Sequence, residues 1–186
     1  MLVGPTGTGK EVLSRFLHNS SKRSKEPFIA VNCAAVPETM LEAVLFGYER
    51  GAFTGAHHPN KGIFRAADSG TLLLDEIADM PKETQGKILR VLVEQSFQRV
   101  NGSIKVEVDV RIVSSTARDL EAEVRTGRFR EDLLHRLAVV PLRVPALAER
   151  REDIPELVTH FINEICGATG QAPRAVADDA MAVLQA

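Results

Sequence analysis

Two short stretches hold the residue types that could do chemistry on a phosphorylated substrate. GPTGTGK, residues 4–10, fits the spacing G-x-x-x-x-G-K. Gly4, Gly7 and Gly9 let the backbone wrap closely around phosphate with its N–H groups turned inward. Pro5, Thr6, Thr8 and Glu11 complete the stretch, and Lys10 is placed to reach the β- and γ-phosphates. Glu11 stands where a magnesium-ligating Ser or Thr usually follows the lysine. Mg2+ is then expected on waters and on the second stretch. That stretch, TLLLDE at 71–76, ends an apolar run with two acids. Asp75 is the natural magnesium-side carboxylate, directly or through water. Glu76 is the natural group to orient or deprotonate an attacking water, which is hydrolysis rather than simple binding.

These groups need elements to place them. A strand remnant, Met1–Val3, leads into the glycine-rich stretch, and a helix over 10–19 follows, with Val12, Leu13, Phe16 and Leu17 on one face. Residues 27–33 read as a short buried strand, and 37–47 as a helix with Pro37 near its start and Gly47 at its end. GTLLLDE, 70–76, suits a strand buried on both faces of a parallel sheet. The acids then fall at the carboxyl end, the edge that faces the ligand crevice in α/β folds. A helix is expected over 81–95, a hairpin over 96–108 turning at Asn101-Gly102, and a strand over 108–116. Residues 118–127, 130–138 and 151–169 read as helices, 139–145 as extended, and 173–186 as the start of another helix. Strands alternating with helices argue for an α/β fold with a mainly parallel sheet.

Composition narrows the function classes. The 186 residues are 44% hydrophobic and 26% charged, which suits one sizeable core and a small second subdomain. A net charge of −2 gives no global basic field for nucleic acid. No apolar run approaches the roughly 18 residues of a membrane helix. Cys33 and Cys166 lie far apart without a CxxC spacing and read as reduced packing residues of a cytoplasmic protein. His57-His58 has no third ligand at a recognisable spacing, and KRSKE at 22–26 reads as a solvated turn.

One stretch fits no regular element. YERGAFTGAHHPNKG, 48–62, has neither period, and its glycines and Pro59 argue for a loop. It sets Phe53 among small residues. Either Phe53 folds back as a loop anchor, or it is kept exposed for a partner.

The motifs GPTGTGKE, VNCAA, LFGYERGAFTGA, GTLLLDEI, GRFREDLLHRL and ERREDI together resemble the central AAA+ ATPase domain of bacterial enhancer-binding proteins, the activators of sigma-54 RNA polymerase. The resemblance runs from Gly4 to about Ile154, and GAFTGA is its most specific part. It implies a P-loop AAA+ three-layer α/β subdomain over 1–148 and the beginning of an α-helical lid over 149–186. It implies ATP and Mg2+ as cofactors. It also implies a homo-oligomer, a hexameric ring in the full protein, acting on sigma-54 RNA polymerase holoenzyme, with DNA bound only through a domain outside this chain. Gly51, Ala52, Phe53, Thr54, Gly55 and Ala56 are then the partner-gripping loop, with Phe53 the exposed contact. Asn32 resembles the residue that hydrogen-bonds and restrains the catalytic Glu76; a strand-end amide capping a turn is the plainer role. Arg130 and Arg136 match the arginines donated to a neighbouring subunit's nucleotide. Six positions apart, they do not share one helical face, so one finger and one interface residue are expected. Thr116 matches a polar sensor, while Ala117 and Ala148 replace polar residues common in such proteins. Both ends look cut, short of a full first strand and of a complete lid. The competing reading is a nucleotide-dependent sigma-54-binding module without turnover.

Overall fold

The computed structural model describes residues 1–186, in two units, Met1–Val144 and Pro145–Ala186. In chain order the first unit holds β1 (Leu2–Val3), α1 (Lys10–Asn19), β2 (Phe28–Asn32), α2 (Glu38–Phe46), α3 (Gly62–Ala66), β3 (Thr71–Asp75) and α4 (Lys82–Glu94). It continues through β4 (Ser96–Gln98), β5 (Lys105–Glu107), β6 (Arg111–Thr116), α5 (Leu120–Arg125), α6 (Glu131–Leu137) and β7 (Leu142–Arg143). Five strands form one parallel sheet in the order β2-β3-β6-β1-β7, and β4 and β5 form a separate antiparallel hairpin.

Register brings the chemistry to one edge. Asn32 pairs with Asp75, Leu74 with Ser114, and Val3 with Thr116. The carboxyl ends of β2, β3, β6 and β1 therefore lie level, and whatever follows each strand meets there. Leu72, Leu73 and Leu74 are fully buried, as a central parallel strand covered on both faces must be. Phe46, Phe64 and Phe97 pack together with ring centroids 5.4–5.9 Å apart, joining α2, α3 and the β4–β5 hairpin into the core.

The expected elements form with shorter bounds, for local reasons. The strand expected from 108 begins at Arg111, because the amides of Val108 and Asp109 are taken by Gln95 O and by Asp68 Oδ1. The helix expected from 118 begins after Asp119, whose carboxylate accepts from Glu121 N and Ala122 N as an N-cap. Helix α3 has five residues, too few for a period to show in sequence. Helix α1 turns a different face inward from its apolar one. Lys10, Ser14 and His18 are buried, while Val12 is 74% and Phe16 64% exposed. Once the phosphate loop draws Lys10 inward, positions four and eight further on must follow it. His18 Nδ1 meets Thr71 Oγ1 at 3.0 Å beneath the sheet. Arg23 leaves its turn to pair with Asp109 and to donate to Gly70 O, so KRSKE is fastened at one point.

The second unit holds two 3-10 turns, Leu147–Glu149 and Arg151–Asp153, then α7 (Ile154–Thr169) and α8 (Asp178–Gln185). Pro155 sits in the first turn of α7, where its missing N–H costs no helical bond. Arg151 donates to the carbonyls of Gln185 and Ala186, tying the turn to the end of α8.

Candidate active site

The glycine-rich loop joins β1 to α1 at the carboxyl edge of the sheet. Gly4 is wedged there: its N–H donates to Thr116 O at 3.2 Å, and a Cβ would stand 2.2 Å from Val144 O. No other residue fits without moving β7. Gly7 and Gly9 take positive φ, 82° and 87°, and Gly9 is the N-cap of α1 without any side-chain cap. The first-turn N–H groups of α1 are thus left for an anion, and the helix dipole favours one. Thr8 is buried and donates to Pro5 O at 2.9 Å, holding the loop closed on itself. Pro5, Thr6, Gly7 and Gly9 are exposed.

Lys10 is buried, 6% exposed, and its ammonium donates to Gly4 O at 2.9 Å and Pro5 O at 3.1 Å. It also lies 3.8 Å from Glu76 Oε1. Glu76 holds a left-handed backbone, φ 49°, where β3 gives way to a 3-10 turn. Its other carboxylate oxygen accepts from Ala117 N at 3.1 Å. The acid is thus fixed between a cation and a backbone amide. Asp75 accepts from Ser115 Oγ at 2.6 Å on one oxygen, and its other oxygen has no hydrogen-bond partner. A third acid, Asp79, is paired with Arg118 at 2.5 Å. These groups, with Asn32 and Glu11, line a cleft of about 480 Å3.

Magnesium can be tested against this donor set. No three His, Cys, Asp or Glu side chains converge on a point, so the cleft offers no all-protein cage. One free carboxylate oxygen beside a phosphate-binding loop instead suits an ion held by one carboxylate, substrate phosphates and water, which is how Mg2+ is usually bound. The residues present fit it, and Asp75 is the carboxylate that would hold it.

Other expected residues have different surroundings. Asn32 makes no bond to Glu76; its Oδ1 accepts from Ala34 N at 2.9 Å and caps the 3-10 turn Cys33–Ala35. The contacts of the Glu76 carboxylate are instead with Ala117 N and Lys10. Thr116 is fully buried, and its hydroxyl accepts from Arg118 N, so it stands behind the cleft rather than in it. Arg130 and Arg136 lie outside the cleft of their own chain. Arg130 is the N-cap of α6 and is paired with Asp132 at 2.7 Å. Arg136, in the last turn, donates to Leu92 O of α4 at 3.0 Å. Cys33, buried next to the cleft, has its thiol pushed up to about 12, by burial first and by Asp75 and Asp79 next. It is a protonated packing residue.

Sequence reading missed Ser115, Arg118, Gln85 and the amide of Ala117. The one available signal was polarity: SST ends a buried strand with three hydroxyls, all at most 2% exposed.

The 48–60 loop is closed at its base. Tyr48 and Asn60 exchange both backbone bonds, and a Cβ on Gly62 would lie 2.3 Å from Gly47 N, so the two glycines sit back to back. Glu49 N donates to Val100 O, and Arg99 pairs with Glu49 at 2.8 Å, which joins the base to the hairpin. Within the loop, Gly51 N donates to Ala56 O and Ala56 N to Phe53 O, and Ala56 is buried. Gly51 and Gly55 have positive φ with open space around them. Phe53 differs from the exposed side chain expected. It is half-buried, edge-on to Tyr48 with centroids 4.8 Å apart at 62°. An aromatic with no core to join gains from an edge contact with its nearest ring. Thr54 and Gly55 form the exposed tip.

The family model "Sigma-54 interaction domain" matches residues 1–143, and "AAA+ ATPase lid domain" matches 148–186. The chain is 57% identical over 185 residues to the nitrogen assimilation regulatory protein NtrX of Azorhizobium caulinodans, covering 100% of this chain and 40% of that protein. A crystal structure of NtrX from Brucella abortus superposes with a TM-score of 0.93 at 52% identity, over 100% of this chain and 42% of that one. The same protein in complex with ATP gives a TM-score of 0.90 at 52% identity, again over 100% and 42%. The chain thus spans well under half the length of these relatives.

Proposed function

Since the chain belongs to the sigma-54 interaction domain family of AAA+ proteins, we propose that it is an ATP-hydrolysing domain that oligomerises, as a hexameric ring in the full protein, and remodels sigma-54 RNA polymerase holoenzyme through residues 51–56. The observation that carries this is the meeting of Lys10, Asp75 and Glu76 in one cleft under a phosphate loop. A binding module would need the loop and the lysine but not an acid poised beside them.

The residues divide the work as follows. The backbone of 5–9 and the α1 N-terminus bind the phosphates, and Lys10 adds a point charge. Phosphate oxygens compete with Gly4 O, Pro5 O and Glu76 for the Lys10 ammonium. When Lys10 turns to phosphate, Glu76 loses its cation and becomes the acceptor for the proton of an attacking water. Such a general base is worth roughly 10²–10⁴ in rate. Asp75 would hold Mg2+, which would supply charge neutralisation at the phosphates. Arg130, exposed and away from its own cleft, is the candidate finger for a neighbouring subunit, a contribution of roughly 10³–10⁵ in known cases. Arg136, bound to Leu92 O, is the candidate interface residue. Thr116 supports the cleft from behind. Gly51 to Ala56 engage sigma-54, with Phe53 leaving Tyr48 to do so. The setting is the cytoplasm, where the polymerase acts; no helix is long and apolar enough to cross a membrane.

The test is ATP hydrolysis against protein concentration, with and without Arg130→Ala. Specific activity that rises with concentration and vanishes in the variant supports shared sites in a ring. Near-zero rates at every concentration, in this chain and in a longer form, would leave the non-hydrolysing binding module.

A further inference from the structure

Asp75 and Ser115 are 40 residues apart in sequence and adjacent in the sheet. The β3–β6 register Leu74↔Ser114 runs on to set Asp75 beside Ser115. In a parallel pair such neighbours project to the same face. Ser115 is fully buried, and its hydroxyl donates to Asp75 Oδ1 at 2.6 Å. That is the length of a charge-assisted O–H···O⁻ bond, roughly twice as strong as a neutral one.

Burial alone does not account for this bond. The neighbouring Ser114 hydroxyl is equally buried and has no partner at all. Nor do the other acids compete for the role. Glu76 is engaged by Lys10 and Ala117 N, and Asp79 by Arg118. Asp75 is held at the cleft wall by a neutral hydroxyl on one oxygen only, whereas Asp79 and Glu11, which line the same cleft, are each paired with an arginine.

We propose that Ser115 is a positioning residue for Asp75, holding the carboxylate by Oδ1 so that Oδ2 is presented to the metal of a metal–nucleotide complex. The proposal rests on the reading of Asp75 as the magnesium-side carboxylate. A carboxylate on a strand end can rotate about its last bonds. The tether removes that freedom before the metal arrives. Because Lys10 is followed by Glu11 rather than by a hydroxyl, the site has one fewer side-chain ligand, and orientation of the remaining carboxylate matters more.

The test is metal binding rather than turnover. Mn2+ is titrated into the chain holding a non-hydrolysable ATP analogue, and free Mn2+ is read by electron paramagnetic resonance. Ser115→Ala should weaken Mn2+ binding by roughly 10–100-fold, the usual effect of removing a partner of a metal-holding group. Metal-free affinity for the analogue should stay unchanged, and Ser115→Thr, which keeps the hydroxyl, should restore Mn2+ binding. If Ser115→Ala does not fold, Ser115→Cys keeps a side chain of similar length with a weaker donor and should show the same direction of loss. Unchanged Mn2+ affinity in a folded Ala or Cys variant overturns the proposal. Wild-type protein that binds the analogue but shows no extra Mn2+ site overturns the reading of Asp75 instead, and this proposal with it.

Discussion

Gln85 holds the backbone of Arg130. Its Oε1 accepts from Arg130 N at 2.9 Å, while its Nε2 donates to Met80 O at 2.7 Å and to Arg128 O at 3.0 Å. The side chain is fully buried. It links the segment just past the acidic pair to the segment that presents the candidate finger. Removing it takes a partner from one buried and two part-buried backbone groups, and a buried group left unpaired costs more than a made hydrogen bond returns. Gln85→Ala is expected to destabilise the domain by roughly 2–4 kcal/mol, read as a shift in the urea midpoint. A loss under about 0.5 kcal/mol, the scale of ordinary surface substitutions, would show that water replaces the amide.

Glu123 and Arg128 form a two-bond pair, with Arg128 donating to both carboxylate oxygens. Hydrogen bonding to Arg128 is the main cause that holds the Glu123 carboxyl below its ordinary value of 4.5. A depressed carboxyl stabilises the fold above its unfolded pKa and loses that contribution as pH falls through the folded one. Wild type should therefore exceed Glu123→Gln in stability by a constant margin above pH 4.5, and the margin should shrink as the pH drops further. Urea denaturation of both proteins from about pH 7 down to about pH 3 measures it. A margin that does not change with pH would mean the pair acts through packing alone.

Lys10 and Glu76 should separate binding from turnover. Lys10→Ala is expected to abolish ATP binding measured with a fluorescent nucleotide, since it removes the buried cation of the loop. Glu76→Gln should keep binding and lower the hydrolysis rate by roughly 10²–10⁴. Equal loss of binding in both variants would assign Glu76 a structural part in the loop.

Phe53 rests on Tyr48 without entering the core. Phe53→Ala is expected to change stability by only about 1 kcal/mol, the scale of one ring–ring contact, and to leave ATP hydrolysis intact. Retention of sigma-54 on the immobilised protein in the presence of a transition-state analogue of ATP should be lost. Unimpaired retention would move the contact to the exposed tip, Thr54 and Gly55.

Much of the site was legible in sequence because its chemistry is written in continuous stretches. The G-x-x-x-x-G-K spacing places a lysine at a helix start beside free amides wherever a strand and a helix flank it. An apolar run ending in Asp-Glu puts both acids at the strand edge where ligands bind. Those relations depend on neighbours a few residues apart, so no tertiary information is required. The hairpin turn at Asn101, φ 58°, is local in the same sense.

Tertiary structure decided what each group touches. Ser115 reaches Asp75, Gln85 reaches Arg130, and Ala117 N reaches Glu76, over 40, 45 and 41 positions. Strand register and helix docking set such pairs, and neither is encoded in any one segment. The buried face of α1 was likewise decided by where Lys10 must point, against the pattern of its apolar residues. Phe53 turned onto Tyr48 because a loop with no core beneath it offers a ring only its nearest ring. Sequence determined which chemistry the chain carries, and packing determined how each of those groups is held.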